Sequence, residues 1–379
     1  MKKIRKSVLV AASLANITVA QAEDAASTNP DSSLKIKPSL EMGAGYNISG
    51  GNKSHTRFGP ANIGRIKEDK IPMFVYGLKK AELAIEKTCG SGDDKVTLSV
   101  KTNLNGKDGA LTLKDIHATF KNFTLGKTKS PFSGGKLASG EVPQIGYQYN
   151  FNSTCSCALA IEKPKSFEIH KNETMKPFVH IPAASTNLKW EREGLVKVHL
   201  GATARLLEYK APKKDGGNGS MDNKRSFAYG VNLATELDVI AEKTTVALEG
   251  IFGQGIGCCM ADLKNLKKEP KVAYVKDKSK GEIEARMAWG ARVGFAHKWM
   301  PKLSSDVAYR LMSTINEEDN KEIKDTAYQQ GHYVSADLYY HPTKQVKVGV
   351  GYLLAMRKEK NEEENKKAQR AEVAVCFKL

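Results

Sequence analysis

The chain has 379 residues, with 59 Lys and Arg against 42 Asp and Glu, a formal net charge of +17 and only 7% aromatic residues. Beyond the N-terminal segment, helical periodicity is scarce and no stretch approaches the roughly 20 apolar residues of a membrane-spanning helix, which excludes a helical-bundle membrane protein. The basic balance suits anionic partners, but the charges are dispersed, with no basic helix or aromatic stacking motif, so nucleic acid is not an expected partner.

The first predicted element is a leader. Lys2, Lys3, Arg5 and Lys6 precede an apolar run from Val8 to Ala20, and Ala20-Gln21-Ala22 supplies a small-x-small cleavage site. Residues 1–22 therefore read as a signal peptide, and 23–33 as a short Ser/Asn/Asp-rich extension. Removing the leader leaves 55 basic against 42 acidic side chains, a net +13. An exported chain without an apolar helix stays in the aqueous phase or crosses a membrane as a closed barrel.

From residue 34 onward the pattern has period two. Leu34, Ile36, Leu40, Met42, Ala44, Tyr46 and Ile48 alternate with Lys35, Lys37, Ser39, Glu41 and Asn47, which is a strand with one apolar and one polar face. The same test predicts sixteen strands: 34–48, 73–87, 95–104, 112–121, 123–129, 144–151, 154–162, 185–191, 195–208, 226–238, 244–253, 283–299, 303–312, 331–341, 345–357 and 368–379. The segment 163–184 has room for one more. Long and short connections alternate between them, apart from a tie at the second and third gaps. An up-and-down transmembrane barrel has this asymmetry, with long external loops and tight periplasmic turns. A Greek-key sandwich has no reason to produce it. The expected fold is therefore an all-β, transmembrane, up-and-down antiparallel barrel of about sixteen strands over 34–379. Its last strand, from Ala371 to Leu379, pairs with the first and removes the free edge.

If the apolar faces meet lipid, the opposite faces line water. That places Lys101, Lys121, Lys197, Arg205, Arg286, Arg292 and Arg310 on the lumen side, with Glu82, Glu86, Asp115, Glu191, Glu249, Asp306 and Asp337 opposing them. Loop 130–143 is the candidate constriction, because Gly134, Gly135 and Gly140 allow tight bends and Lys136 would bring a charge to the narrowing. Rings of Lys and Arg in a narrow aqueous pore favour anions. These eight cations are the candidate solute-binding residues. The pattern predicts no catalytic residue, because the eight histidines form no local signature with Ser, Asp or Glu. It predicts no cofactor and no metal: Cys155-x-Cys157 and Cys258-Cys259 have no clustered histidines to complete a zinc site.

Several segments resemble the DcaP-type trimeric outer-membrane porins. Leu125-Gly126-Lys127-Thr128-Lys129-Ser130-Pro131-Phe132 is similar to the segment leading into that family's third loop. Gly230-Val231-Asn232-Leu233 followed by Phe252-Gly253-Gln254-Gly255-Ile256-Gly257 resembles its paired strands with a glycine-rich end. His297-Lys298-Trp299 resembles its His-x-Trp before a periplasmic turn, and the run from Val334 through Val348-Gly349-Val350-Gly351-Tyr352 to Arg370 its last three strands. The resemblance implies a sixteen-stranded homotrimer in the outer membrane, in contact with lipid and lipopolysaccharide, passing small organic anions such as dicarboxylates. Two other classes compete: a surface barrel acting as an adhesin or structural protein, and a barrel hydrolase.

Overall fold

The computed structural model describes residues 32–49, 74–90, 94–103, 112–138, 140–163, 176–178, 180–212, 221–263, 272–277, 282–315, 328–360 and 366–378. The leader expected at 1–22 lies outside them, as does the 23–33 extension apart from its last two residues.

In chain order the strands are β1 (Ser32–Ser49), β2 (Phe74–Cys89), β3 (Val96–Asn103), β4 (Thr112–Phe120), β5 (Phe123–Lys129), β6 (Glu141–Asn150) and β7 (Cys155–Glu162). There follow β8 (Lys176–Phe178), β9 (Ala183–Arg192), β10 (Val196–Pro212), β11 (Met221–Ile240) and β12 (Thr244–Gln254). The last are β13 (Ala273–Asp277), β14 (Glu282–Ala285), β15 (Met287–Met300), β16 (Leu303–Ile315), β17 (Tyr328–Tyr340), β18 (Val346–Glu359) and β19 (Lys366–Lys378).

Successive strands pair antiparallel around the wall, and β19 returns to β1 from Ser39↔Lys378 to Ser49↔Gln369, closing a barrel of 16 strands. Closure leaves no strand edge to seek a partner. The short β8 pairs with β10 at Glu208↔Phe178 and extends the line of β9, so it adds length to one strand and no new stave. It is the element for which 163–184 had room. The hairpin β13–β14 stands apart from the wall sheet.

The period-two pattern decides which side each residue takes. On β11, Val231 and Leu233 are exposed while Ala228 and Asn232 are buried; on β15, Val293 and Phe295 are exposed while Ala288 and Arg292 are buried. Leu200 and Val350 are likewise exposed. A closed sheet that turns its large apolar side chains outward and its charges inward is arranged for lipid outside and water inside. Phe120, Phe123, Tyr149, Trp190, Trp299 and Tyr340 are all exposed and flank the short connections, forming one interfacial girdle.

Two expectations fail. The segment 283–299 is not one strand. It breaks at Arg286, whose N–H donates to Val272 O at 2.7 Å, and Ile283 and Ala285 turn inward to pack on Leu207 and Tyr209 of the wall. Alternation continues through the break, so the sequence pattern could not reveal it. Lys121 is not on a wall either. It occupies the tight β4–β5 turn with φ of 53°, its ammonium over the Phe120 ring at 5.4 Å.

Candidate functional site: the loop-lined lumen

The connection 130–140 between β5 and β6 folds into the barrel and is fastened to the opposite wall. Lys136 N–H and Leu137 N–H donate to Glu249 Oε2 of β12 at 2.7 and 2.8 Å. Asn232 Nδ2 of β11 donates to Phe132 O at 3.1 Å, and Asn187 Nδ2 of β9 to Pro131 O at 3.3 Å. A loop that leaves water must have its backbone groups satisfied, and here the wall supplies both a carboxylate and amides.

Two glycines allow this close approach. A Cβ on Gly134 would lie 1.7 Å from His199 Cδ2, and one on Gly135 would lie 2.4 Å from the Glu249 carboxylate. A side chain at either position forces His199 or Glu249, or the loop itself, to shift. Phe132 and Leu137, both buried, anchor the loop by apolar contact.

A second connection, 255–263, also folds inward. Ile256, Met260 and Leu263 pack with Phe132, Leu137, Ile251, Ala288 and Met312 in one buried cluster. Met260 forms a β-bridge with Ala138, and Ala261 N–H donates to Leu137 O at 2.8 Å, so the two inward loops support each other. The signal for this loop was present in the sequence. Ile256, Met260 and Leu263 are apolar residues in a connection that water would otherwise surround.

The sequence-predicted cations divide into two sets. Arg205, Arg286, Arg292 and Arg310 are structural. Arg205 Nη2 donates to Gly255 O at 2.6 Å, and Arg286 Nη2 donates to Thr314 Oγ1 and Tyr328 O, each at 2.8 Å. Arg292 Nη1 lies 2.9 Å from Glu249 Oε1, and Arg310 Nε lies 3.2 Å from Asp262 Oδ2 while its guanidinium covers the Tyr333 ring at 4.7 Å. Arg205 and Arg310 tie the wall to the 255–263 loop, Arg292 braces the Glu249 carboxylate that holds loop 130–140, and Arg286 ties the β14–β15 break to β16 and β17. Each guanidinium has a carboxylate, a carbonyl or a ring against it, and Arg205, Arg286 and Arg292 are buried as well, so their charge is turned away from open water.

Lys101, Lys136 and Lys197 form the other set. Lys101 Nζ lies 2.7 Å from Glu82 Oε1, with the lysine 43% exposed and the glutamate 9%. Lys197 and Lys189 share Glu191 at 3.0 and 2.5 Å, the lysines 53% and 50% exposed and the glutamate 31%. Lys136 is exposed, although its backbone is fastened. In each pair the base stands nearer the water than the acid. Among the described residues no cluster of three or more His, Cys, Asp or Glu side chains could hold a metal.

Glu249 was expected only as a counter-charge. Its second role, accepting two loop amides, follows from a contact 113 residues away in sequence, which no local pattern encodes. Asp262, Asn187 and Asn232 are likewise functional residues that spacing does not mark.

A closed sixteen-stranded antiparallel barrel with an apolar exterior, a charged interior and its third long connection folded inside is a porin-type transmembrane barrel. More particularly, the fold is similar to that of the outer membrane channel DcaP of Acinetobacter baumannii, with a TM-score of 0.77 over 93% of this chain and 99% of that one, at 18% identity. An anion-selective porin from Comamonas acidovorans superposes with a TM-score of 0.57 over 92% of this chain and 100% of its own, at 9% identity. The trimer form of OmpT from Vibrio cholerae does so with 0.55 over 92% of this chain and 99% of its own, at 11% identity. No family model and no curated protein sequence matches the chain.

Proposed function

We propose that the protein is an outer-membrane porin of the DcaP type, a passive channel that favours small organic anions such as dicarboxylates. The observation that carries the anion preference is the order of charges from water to wall. Lys101 lies in front of Glu82, and Lys189 and Lys197 in front of Glu191. A solute in the lumen meets ammonium groups first, and the carboxylates behind them are shielded by the side chains they pair with. Positive groups facing a narrow, low-dielectric passage concentrate anions and repel cations. The inward loop 130–140 narrows the passage, and Lys136 sets a further charge on it.

The similarity to the anion-selective Comamonas porin supports the sign of the preference, and the trimer form of OmpT supports a homotrimer. The outward apolar face and its aromatic girdle suit outer-membrane lipid, with lipopolysaccharide around the long-loop end. Liposome swelling tests the reading. Proteoliposomes should swell in an isosmotic dicarboxylate salt faster than in a diamine salt of equal size. No swelling in any small solute would favour a plugged surface barrel, and hydrolysis of an ester or peptide substrate would favour a barrel enzyme.

A further inference from the structure

The turn that carries Cys258 and Cys259 lies inside the barrel at the point where the two inward loops meet. Their Sγ atoms are 3.6 Å apart. Cys258 is buried against Leu207, Val272 and Ile283, whereas Cys259 is half-buried and packs against both apolar clusters of the lumen. None of the six cysteines is in a disulfide. The side chain of Arg205 reaches the same turn, its Nη2 donating to Gly255 O at 2.6 Å.

Neighbouring residues on a trans peptide have Cα atoms about 3.8 Å apart, short of the roughly 4.4–6.8 Å that an unstrained disulfide spans. A bridge between Cys258 and Cys259 therefore closes only with local distortion, and strained bridges are the ones readily reduced again. The distortion has a defined route. Cys259 N–H donates to Ile256 O at 2.7 Å, and the next residue, Met260, bridges Ala138 of loop 130–140. Drawing the two sulfurs to about 2.05 Å twists this turn and displaces Ile256 and Met260 from their seats against Phe132 and Leu137.

We propose that Cys258 and Cys259 form a reversible thiol–disulfide switch that sets the position of the constriction loop. The oxidant is a low-molecular-weight disulfide small enough to enter the lumen. The Cys259 thiolate attacks one of its sulfurs, forming a mixed disulfide and expelling the other half as a thiol after protonation. The Cys258 thiolate then attacks Cys259 Sγ, the Cys258–Cys259 bond forms, and the second half leaves as a thiol. The protein loses two electrons and two protons, and the small disulfide gains both. The effect on conductance rests on the channel reading above, whereas the sulfur chemistry does not.

The test uses the whole folded protein in detergent and in planar bilayers, with glutathione disulfide as the probe. After oxidation and alkylation of the remaining thiols, the tryptic peptide from Thr244 to Lys264 should run unalkylated and two hydrogen masses light. The unitary conductance should shift, and dithiothreitol should reverse both changes. A variant carrying Cys89→Ser, Cys155→Ser, Cys157→Ser and Cys376→Ser should respond in the same way. Alkylation of Cys258 and Cys259 after glutathione disulfide treatment, or a stable mixed disulfide that never resolves, would overturn the switch. A closed bridge with unchanged conductance in a conducting channel would overturn its coupling to the loop. A closed bridge in a protein that never conducts would preserve the chemistry and refute the channel reading instead.

Discussion

The lumen wall has a dry arc and a wet arc. From β10 to β19 the inward side chains form apolar clusters: Ile251, Ala288 and Met312 beneath the two inward loops, and Tyr333, Leu353, Ala355 and Ala368 farther round. From β2 to β9 the inward positions hold Thr97, Ser99, Lys101, His117, Gln148 and Lys189, and no buried apolar cluster forms among the described residues there. The loops cover one arc and leave the other uncovered, and the proposed solute path runs along the uncovered one. Basic side chains therefore do different work on each side. Beneath the inward loops, Arg205 and Arg310 hold the loops and Arg292 braces their anchor Glu249, while Arg357 and Arg370 farther round bond Glu359 and Asn47 of the wall; the lysines on and beside the wet arc stay about half exposed.

The comparison breaks most sharply at Glu249. Its carboxylate accepts two loop amides and pairs with Arg292, whose side chain is only 7% exposed. Glu249→Ala leaves a buried guanidinium and two amides without their acceptor, so the folded barrel should lose about 3–5 kcal/mol. Denaturant refolding into detergent would measure this, and conductance of the surviving fraction should rise as loop 130–140 comes away. A loss as small as that of Lys101→Ala would mean that the dry arc is not held by this pair.

Next in size is the outer face. Val293→Lys, near the middle of β15 and exposed, should cost about 2–4 kcal/mol in refolding to lipid. Ser99→Lys, on the wet arc, should cost far less because water already reaches it. Equal costs would refute the assignment of faces. Gly134→Leu follows, as an overpacking change against His199 worth roughly 1–3 kcal/mol. Adding His199→Ala should recover part of that loss, and failure to recover any would place the strain elsewhere.

The smallest effect on stability belongs to the lysines. Lys101→Ala removes a half-exposed lysine from buried Glu82, which keeps Lys114 at 3.9 Å, so it should cost only about 1 kcal/mol, yet it should reduce anion preference measurably. Arg292→Ala should do the reverse, disturbing folding before it changes selectivity.

Much of this organisation was legible in the sequence, and the limits have physical causes. Alternation such as Val196, Val198 and Leu200 against Lys197 and His199 fixes the faces, because a slip of one residue would turn every apolar side chain into water. Gly134 and Gly135 of the segment 130–143 are where loop 130–140 passes closest to His199 and Glu249 of the wall. Alternation could not tell a lumen cation that meets solute from one that meets a carboxylate, since Lys101 and Arg292 occupy equivalent inward positions. What separates them is what lies above each. Loops 130–140 and 255–263 cover Arg292 and its neighbours, and those contacts join positions more than a hundred residues apart. Arg286 and Lys121 were misplaced because a strand break and a two-residue turn preserve the period on either side.

In the proposed channel, solute in the lumen meets lysine before carboxylate. The reversal potential of the unmodified channel in a planar bilayer, under a gradient of potassium chloride, tests it most directly. The account predicts an anion-selective sign that weakens as salt shortens the screening length from about 10 Å at 0.1 M to about 3 Å at 1 M. It further predicts a shift toward cations when Lys101, Lys189 and Lys197 are all replaced by Gln. A cation-selective unmodified channel at low salt, or a triple variant with an unchanged reversal potential, would contradict it.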